Sequence, residues 1–257
     1  MLGLYDSGLG GLTVLAALRA AGITQDVVYF ADHAHNPYGD KSEAEIHGYL
    51  RHNLALLAEQ RVGAVITACN TSCAVAQRLG WPEIAVPVLD LIATAGASFA
   101  GTPHRRIAVI ATAATVRSGA YARAIRAAAP HAAVHEIAAP KLVPLVERGE
   151  TETPAARDAV AEIVAQLPPD TGAIVYGCTH YPLLDAHFAQ LLAPHVARID
   201  PAAAQAAATA ALVTARHLPA GSARTTYYTN GDATSFESAV RRWTGDTTGR
   251  VAALVPG

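Results

Sequence analysis

Two cysteines carry the clearest chemical signal in this chain. Cys69 closes the apolar run Val65-Ile66-Thr67-Ala68 and is followed at once by Asn70-Thr71; Cys178 closes Ile174-Val175-Tyr176-Gly177 and is followed by Thr179-His180. A thiol between a strand and a helix sits where the helix N-terminus favours the thiolate. One such cysteine with a histidine would suit nucleophilic catalysis of the thiol-hydrolase kind. Two in equivalent positions suit inversion at a carbon centre. One group removes a proton and the other returns one to the opposite face, and because substrate and product are mirror images the two can be of one kind. Other roles for the sulfurs stay open. A free cysteine is commonly a small buried hydrophobe, which suits Cys73 in the helical stretch after Cys69. Cys69, Cys73, Cys178 and His180 could also assemble a Cys₃His zinc site, although Cys178-Thr179-His180 lacks the spacing of a knuckle turn.

Two further loops could contact a ligand. Asp6-Ser7-Gly8-Leu9-Gly10-Gly11 leads into the helical Leu12-Thr13-Val14-Leu15, and a Gly-rich turn at a helix N-terminus presents backbone N–H groups to an anion. Its spacing is neither a Walker A nor a dinucleotide fingerprint, and a carboxylate would satisfy the same donors. Asp32-His33-Ala34-His35-Asn36-Pro37-Tyr38-Gly39 reads either as a plain Pro-Tyr-Gly turn or as a rigid loop facing a ligand. His33 and His35 have no partner visible in the sequence and read as surface residues.

Strands and helices must position these groups. Short β-rich runs at Val27–Phe30, Ala64–Thr67, Ile84–Val88, Ile107–Ile110 and Ala173–Tyr176 alternate with Ala/Leu-rich helical stretches. That pattern predicts an α/β fold with mainly parallel sheets covered by helices on both faces. Ligands bind such sheets beyond the carboxyl ends of the strands, where both cysteines fall. Thr225–Asp232 reads as one more strand and turn, after an Ala-rich helix that follows Asp200-Pro201. The two strand–Cys segments echo each other, as do the turns at Asp6 and at Thr112-Ala113-Ala114-Thr115. Two related α/β halves fit this echo, each presenting one cysteine at a strand end, and such halves facing one another make a cleft with a thiol on either wall.

Composition narrows the function. Among 257 residues 51% are hydrophobic and 16% charged, with a net charge of -2, so a folded core is expected. There is no basic stripe of the kind nucleic-acid binding needs. The start shows no basic segment ahead of an apolar one, and no apolar run approaches a membrane span. Three cysteines without a secretion signal imply reduced thiols and a cytoplasmic protein.

Six segments together resemble glutamate racemase, of the aspartate/glutamate racemase superfamily, nearly end to end. They are Asp6–Gly11, Pro37–Gly39, Ala68–Thr71, Thr112–Tyr121, Val143–Glu147 and Gly177–Leu184. The resemblance implies two similar α/β domains, residues 1–96 plus 206–257 and residues 97–205, with the site in the cleft between them. It also implies cofactor-independent conversion of L- to D-glutamate for peptidoglycan, with neither pyridoxal phosphate nor metal, and often a homodimer. It makes Cys69 and Cys178 the catalytic pair, with Asp6, His180 and Glu147 assisting. It places Asp6, Ser7, Pro37, Tyr38, Gly39, Asn70, Thr71, Thr115, Thr179 and His180 around the substrate. Cys73, Asp90 and Pro201-Ala202-Ala203 depart from the family pattern. An Asp90 facing the cleft would alter side-chain preference, so a racemase for aspartate or another amino acid stays open, as does an idle binding homologue.

Overall fold

Parallel strands dominate the computed structural model, which describes residues 1–253; the 206–257 segment assigned above to the first domain therefore ends in four residues, 254–257, outside the described ones. The strands are β1 (Leu2–Asp6), β2 (Val27–Ala31), β3 (Val65–Thr67), β4 (Val88–Asp90), β5 (Arg106–Ala111), β6 (Ala133–Ala138), β7 (Ala173–Gly177), β8 (Ala197–Ile199), β9 (Thr225–Thr229) and β10 (Val251–Ala253). They form a six-stranded sheet in the order β10-β9-β2-β1-β3-β4 and a four-stranded sheet in the order β6-β5-β7-β8. Every pairing is parallel. Parallel neighbours need crossover connections, and the Ala/Leu-rich helices supply them. β1, β2, β3 and β7 are buried along their whole length, as strands covered on both faces must be. The fold is α/β, with two parallel sheets flanked by helices.

The internal echo has a topological counterpart. Within the larger sheet the order β2-β1-β3-β4 repeats as β6-β5-β7-β8 in the smaller one. Cys69 follows β3 and Cys178 follows β7, so the two thiols stand at equivalent positions; Asp6 ends β1 as Thr112 follows β5. One hydrophobic cluster joins the halves. Leu9, Leu12 and Ala68 from the first belong with Val143, Val146 and Tyr181 from the second.

Two elements differ from expectation. The run Ile84–Val88 contributes only its end, because the strand is Val88–Asp90. Pro82 and Pro87 have no N–H to give a ladder, and Pro87 instead accepts from the Val65 amide at 2.9 Å. Cys178 leads not into an α-helix but through a short 3₁₀ turn, Tyr181–Leu184, with Pro182 inside its first turn, before the helix Asp185–Leu191. The segment after Asp200 forms the expected helix, Pro201–Ala215, with the Asp200 side chain accepting from the Ala202 amide.

Candidate active site

The strand ends of both sheets meet around a narrow cavity of about 40 Å³ whose lining includes both Cys69 and Cys178. Cys69 caps the helix Asn70–Leu79, its Sγ accepting from the Ser72 amide at 3.4 Å. A helix N-terminus alone would lower this thiol, but burial and the nearby Asp6 carboxylate push it up to about 12 against the hydrogen bonds from Ser72 and Ser7. Burial wins, reversing the sequence expectation, and Cys69 holds its proton at neutral pH. Behind it, the Ser72 hydroxyl meets Tyr5 Oη at 3.1 Å and Tyr5 donates to Tyr38 Oη at 2.9 Å. Tyr38 donates to the fully buried Asp32. Asp32 also accepts from Asn53 at 3.0 Å and Asn230 at 2.6 Å, so this wall rests on a satisfied buried network.

On the opposite wall the partners are charged. Cys178 Sγ lies 3.6 Å from His180 Nδ1, and His180 Nε2 lies 2.6 Å from Glu147 Oε1. Burial alone would lower the His180 ring; Cys178 and Glu147 outweigh it and raise the ring well above its ordinary value. Glu147 shows the converse balance: burial raises it, but the His180 hydrogen bond and charge, with His33 and the Leu9 amide, hold it below the usual carboxylate range. His180 and Glu147 thus form an ion pair beside the thiol.

Most residues singled out in the sequence come together. Ser7, Pro37, Tyr38, Gly39, Asn70 and Thr71 line the cavity from the first half, and Thr179 and His180 from the second. Asp6, Thr115 and Glu147 do not line it and stand one side chain behind. Asp6 accepts from Thr179 Oγ1 at 3.2 Å and from the Gly8 amide at 2.9 Å. Thr115 Oγ1 lies 3.3 Å from Thr71 Oγ1 and 3.0 Å from Thr112 Oγ1. Asn70 Oδ1 accepts from Tyr121 Oη at 2.6 Å, which fixes its amide; Asn70 Nδ2 is buried with no protein partner. A buried unpaired donor is unfavourable, and on a lining residue it is available to an oxygen of a ligand.

Residues 13–209 match the model of the Asp/Glu/Hydantoin racemase family. The chain belongs to that family. It is an isomerase. A glutamate racemase of Gloeobacter violaceus is 46% identical over 248 residues, covering 95% of this chain and 92% of the relative. A glutamate racemase structure from Bacillus anthracis superposes with a TM-score of 0.89 at 27% identity, covering 99% of this chain and 97% of that one. One from Francisella tularensis, in complex with D-glutamate, superposes at 0.87 with 29% identity, covering 98% and 96%.

Several expectations change in this racemase. His33 and His35 are not free surface groups. The half-buried His33 reaches Thr229 Oγ1 at 2.9 Å and packs edge-on against Phe236 at 4.9 Å. His35 pairs with Asp32 at 2.6 Å and stacks on Tyr49 at 3.9 Å. Asp90 does not line the cavity; it caps the helix Leu91–Ala97 and accepts from Gln77 at 2.8 Å. Cys73 is buried with its Sγ 3.1 Å from Thr67 Oγ1, the structural role its helix position suggested. Among the described residues no three His, Cys, Asp or Glu side chains group as a metal site, so the four-ligand zinc arrangement is not assembled. Asn36, Thr112 and Val143 also line the cavity; the sequence reading quoted the segments that hold them but gave these three no role at the site. Thr112 was findable as the partner of Asp6 in the repeat.

Close approach of the first loop to the racemase's charged wall needs glycine. A Cβ on Gly10 would lie 2.5 Å from His180 Nδ1 and 2.4 Å from Thr179 Oγ1. Gly10→Ala is therefore expected to displace His180 from Cys178 and lower kcat by about tenfold or more, as sub-ångström misplacement does. Steady-state kinetics beside a thermal melt checks this; an unchanged kcat would show that the ring tolerates the push.

Proposed function

We propose that this racemase interconverts L- and D-glutamate by a two-thiol mechanism without cofactor, and that its D-glutamate serves peptidoglycan synthesis. The observation that carries the mechanism is the pair of thiols at equivalent strand ends of two sheets, lining one cavity from opposite halves, each with its own polar partners. We read the halves as residues 1–96 plus 206–257 and residues 97–205. A thiolate takes the Cα proton as its S–H bond forms and the Cα–H bond breaks, leaving the electron pair on a planar carbanion. The opposite thiol then gives its proton to the other face. Each turnover leaves the two sulfurs with exchanged protonation, ready for the reverse direction.

The surrounding groups fit these steps. Cys69, held high by burial, bears its proton in the free enzyme; Cys178 stands beside the His180–Glu147 pair, with which it can exchange a proton. His180 Nε2 is committed to Glu147, so Nδ1 is the atom that trades a proton with Cys178. Carbanion formation at Cα places charge on the substrate carboxylate, where the unpartnered Asn70 amide and the Thr71 hydroxyl are available as donors. The narrowness of the cavity excludes bulk water and strengthens each of these contacts.

Solvent deuterium incorporation at Cα tests the reading. L- and D-glutamate offered separately, without added cofactor, should each yield the other enantiomer carrying deuterium. Faster exchange with aspartate would reassign the substrate while keeping the mechanism. Silence with both amino acids would overturn the two-thiol reading.

A further inference from the structure

Glu147 belongs to the second half, yet the first half holds most of it. Its Oε1 accepts from His180 Nε2 at 2.6 Å, and equally from Asn36 Nδ2 at 2.6 Å and the Leu9 amide at 3.2 Å. His33 Nε2 stands 3.7 Å from Oε2. Asn36 and His33 sit in the loop after β2 and Leu9 in the loop after β1, so three of the four partners reach across the cleft. Gly8 leaves the space: a Cβ there would lie 2.2 Å from both Asn36 Nδ2 and Glu147 Oε1.

Resting on the two-thiol reading, we propose that Asn36 is a positioning residue for Cys178, acting through Glu147 and His180. By donating to Oε1 it stabilises the ionised carboxylate and fixes its place. The carboxylate keeps the proton on His180 Nε2, which leaves Nδ1 facing Sγ. Asn36 also ties the loop of one half to the acid/base pair of the other, so the second thiol is aligned only when the halves meet. Its effect falls on the proton transfers at Cys178 and leaves those at Cys69 intact.

Racemisation supplies a readout that general structural damage would not move. The equilibrium constant between mirror images is one, so any lesion lowers kcat/KM equally in both directions. The primary isotope effect with Cα-deuterated substrate is not bound in this way. When transfer at Cys178 slows, abstraction limits more strongly for the enantiomer whose proton Cys178 removes, and its isotope effect rises. For the other enantiomer the slow step becomes reprotonation, the carbanion returns, and the isotope effect falls.

Asn36→Leu, Glu147→Gln and the double variant, measured with deuterated L- and D-glutamate, provide the test. Asn36→Leu should lower kcat/KM by about tenfold or more, the scale of one hydrogen bond to a charge, with isotope effects moving in opposite senses for the two enantiomers. In the Glu147→Gln background the same change should cost little further, because the path it acts through is already broken. Isotope effects that move together, or losses that multiply fully, overturn the role of Asn36. Should Asn36→Leu not fold, Asn36→Ser, with a donor on a shorter arm, is read in the same way. A wild-type enzyme silent on both glutamates would overturn the two-thiol reading itself, whereas an active wild type with an unaffected Asn36→Leu overturns only this inference.

Discussion

Cys178→Ala should exchange the Cα proton of one glutamate enantiomer with solvent while racemising neither, and Cys69→Ala should do the same for the other enantiomer. Each variant keeps one thiol with its local partners: Ser7 and Ser72 at Cys69, His180 at Cys178. That thiol can still remove a proton from its own face and return a solvent-derived one to the same face. Inversion needs a donor on the opposite wall, and alanine supplies none. Racemisation should fall by about a thousandfold, within the range that positioned acid/base groups contribute. Proton NMR in deuterium oxide separates the outcomes, since loss of the Cα signal reports exchange and optical rotation reports inversion. Both variants exchanging the same enantiomer would place the thiols on one side of the substrate. Full racemisation by either would remove that thiol from the mechanism.

Legibility in the sequence followed the reach of the interactions involved. The strand–Cys segments were readable because an apolar run, a thiol and small polar residues are adjacent in the chain, and their repetition pointed to two equivalent positions. The topological repeat β2-β1-β3-β4 and β6-β5-β7-β8 is the physical form of that echo. The grip on Glu147 was not readable, since Asn36 and Leu9 stand 111 and 138 residues away from it and no local pattern joins them. His33 looked solvent-facing for the same reason: Thr229 and Phe236, which cover it, arrive from the far end of the chain. The expectation for Cys69 failed on a magnitude. A helix terminus is a local feature and was foreseen, but burial is a property of the whole fold, and for this thiol it is the larger effect.

Asp6→Asn should make the protein more stable and less active at neutral pH. Burial lifts the Asp6 carboxyl from an ordinary 3.8 to about 6, with Glu147 adding to the rise and His180 and the Gly8 amide opposing it. Below pH 3.8 the group is protonated in folded and unfolded chains alike and contributes nothing. Between 3.8 and about 6 the unfolded chain releases its proton while the folded one keeps it, so the native state loses ground as pH rises. Above about pH 6 the whole penalty is present, roughly 3 kcal/mol from the size of the shift. Asparagine has the same shape and can still accept from the Gly8 amide, but it carries no charge to desolvate. The stability gained should therefore be near zero at the acid end and grow to its full value above pH 6, a pattern that denaturant melts across pH would display. Activity should move the other way. The Asp6 charge raises the neighbouring Cys69 thiol, making its thiolate the stronger base when it is formed. Removing that charge should lower kcat by about ten- to a hundredfold and abolish the acid limb expected of the wild type as pH falls through about 6. A variant that is neither more stable at neutral pH nor altered in its pH–rate profile would mean that Asp6 is protonated throughout the working range. In that case its hydrogen bonds alone, and not its charge, serve the site.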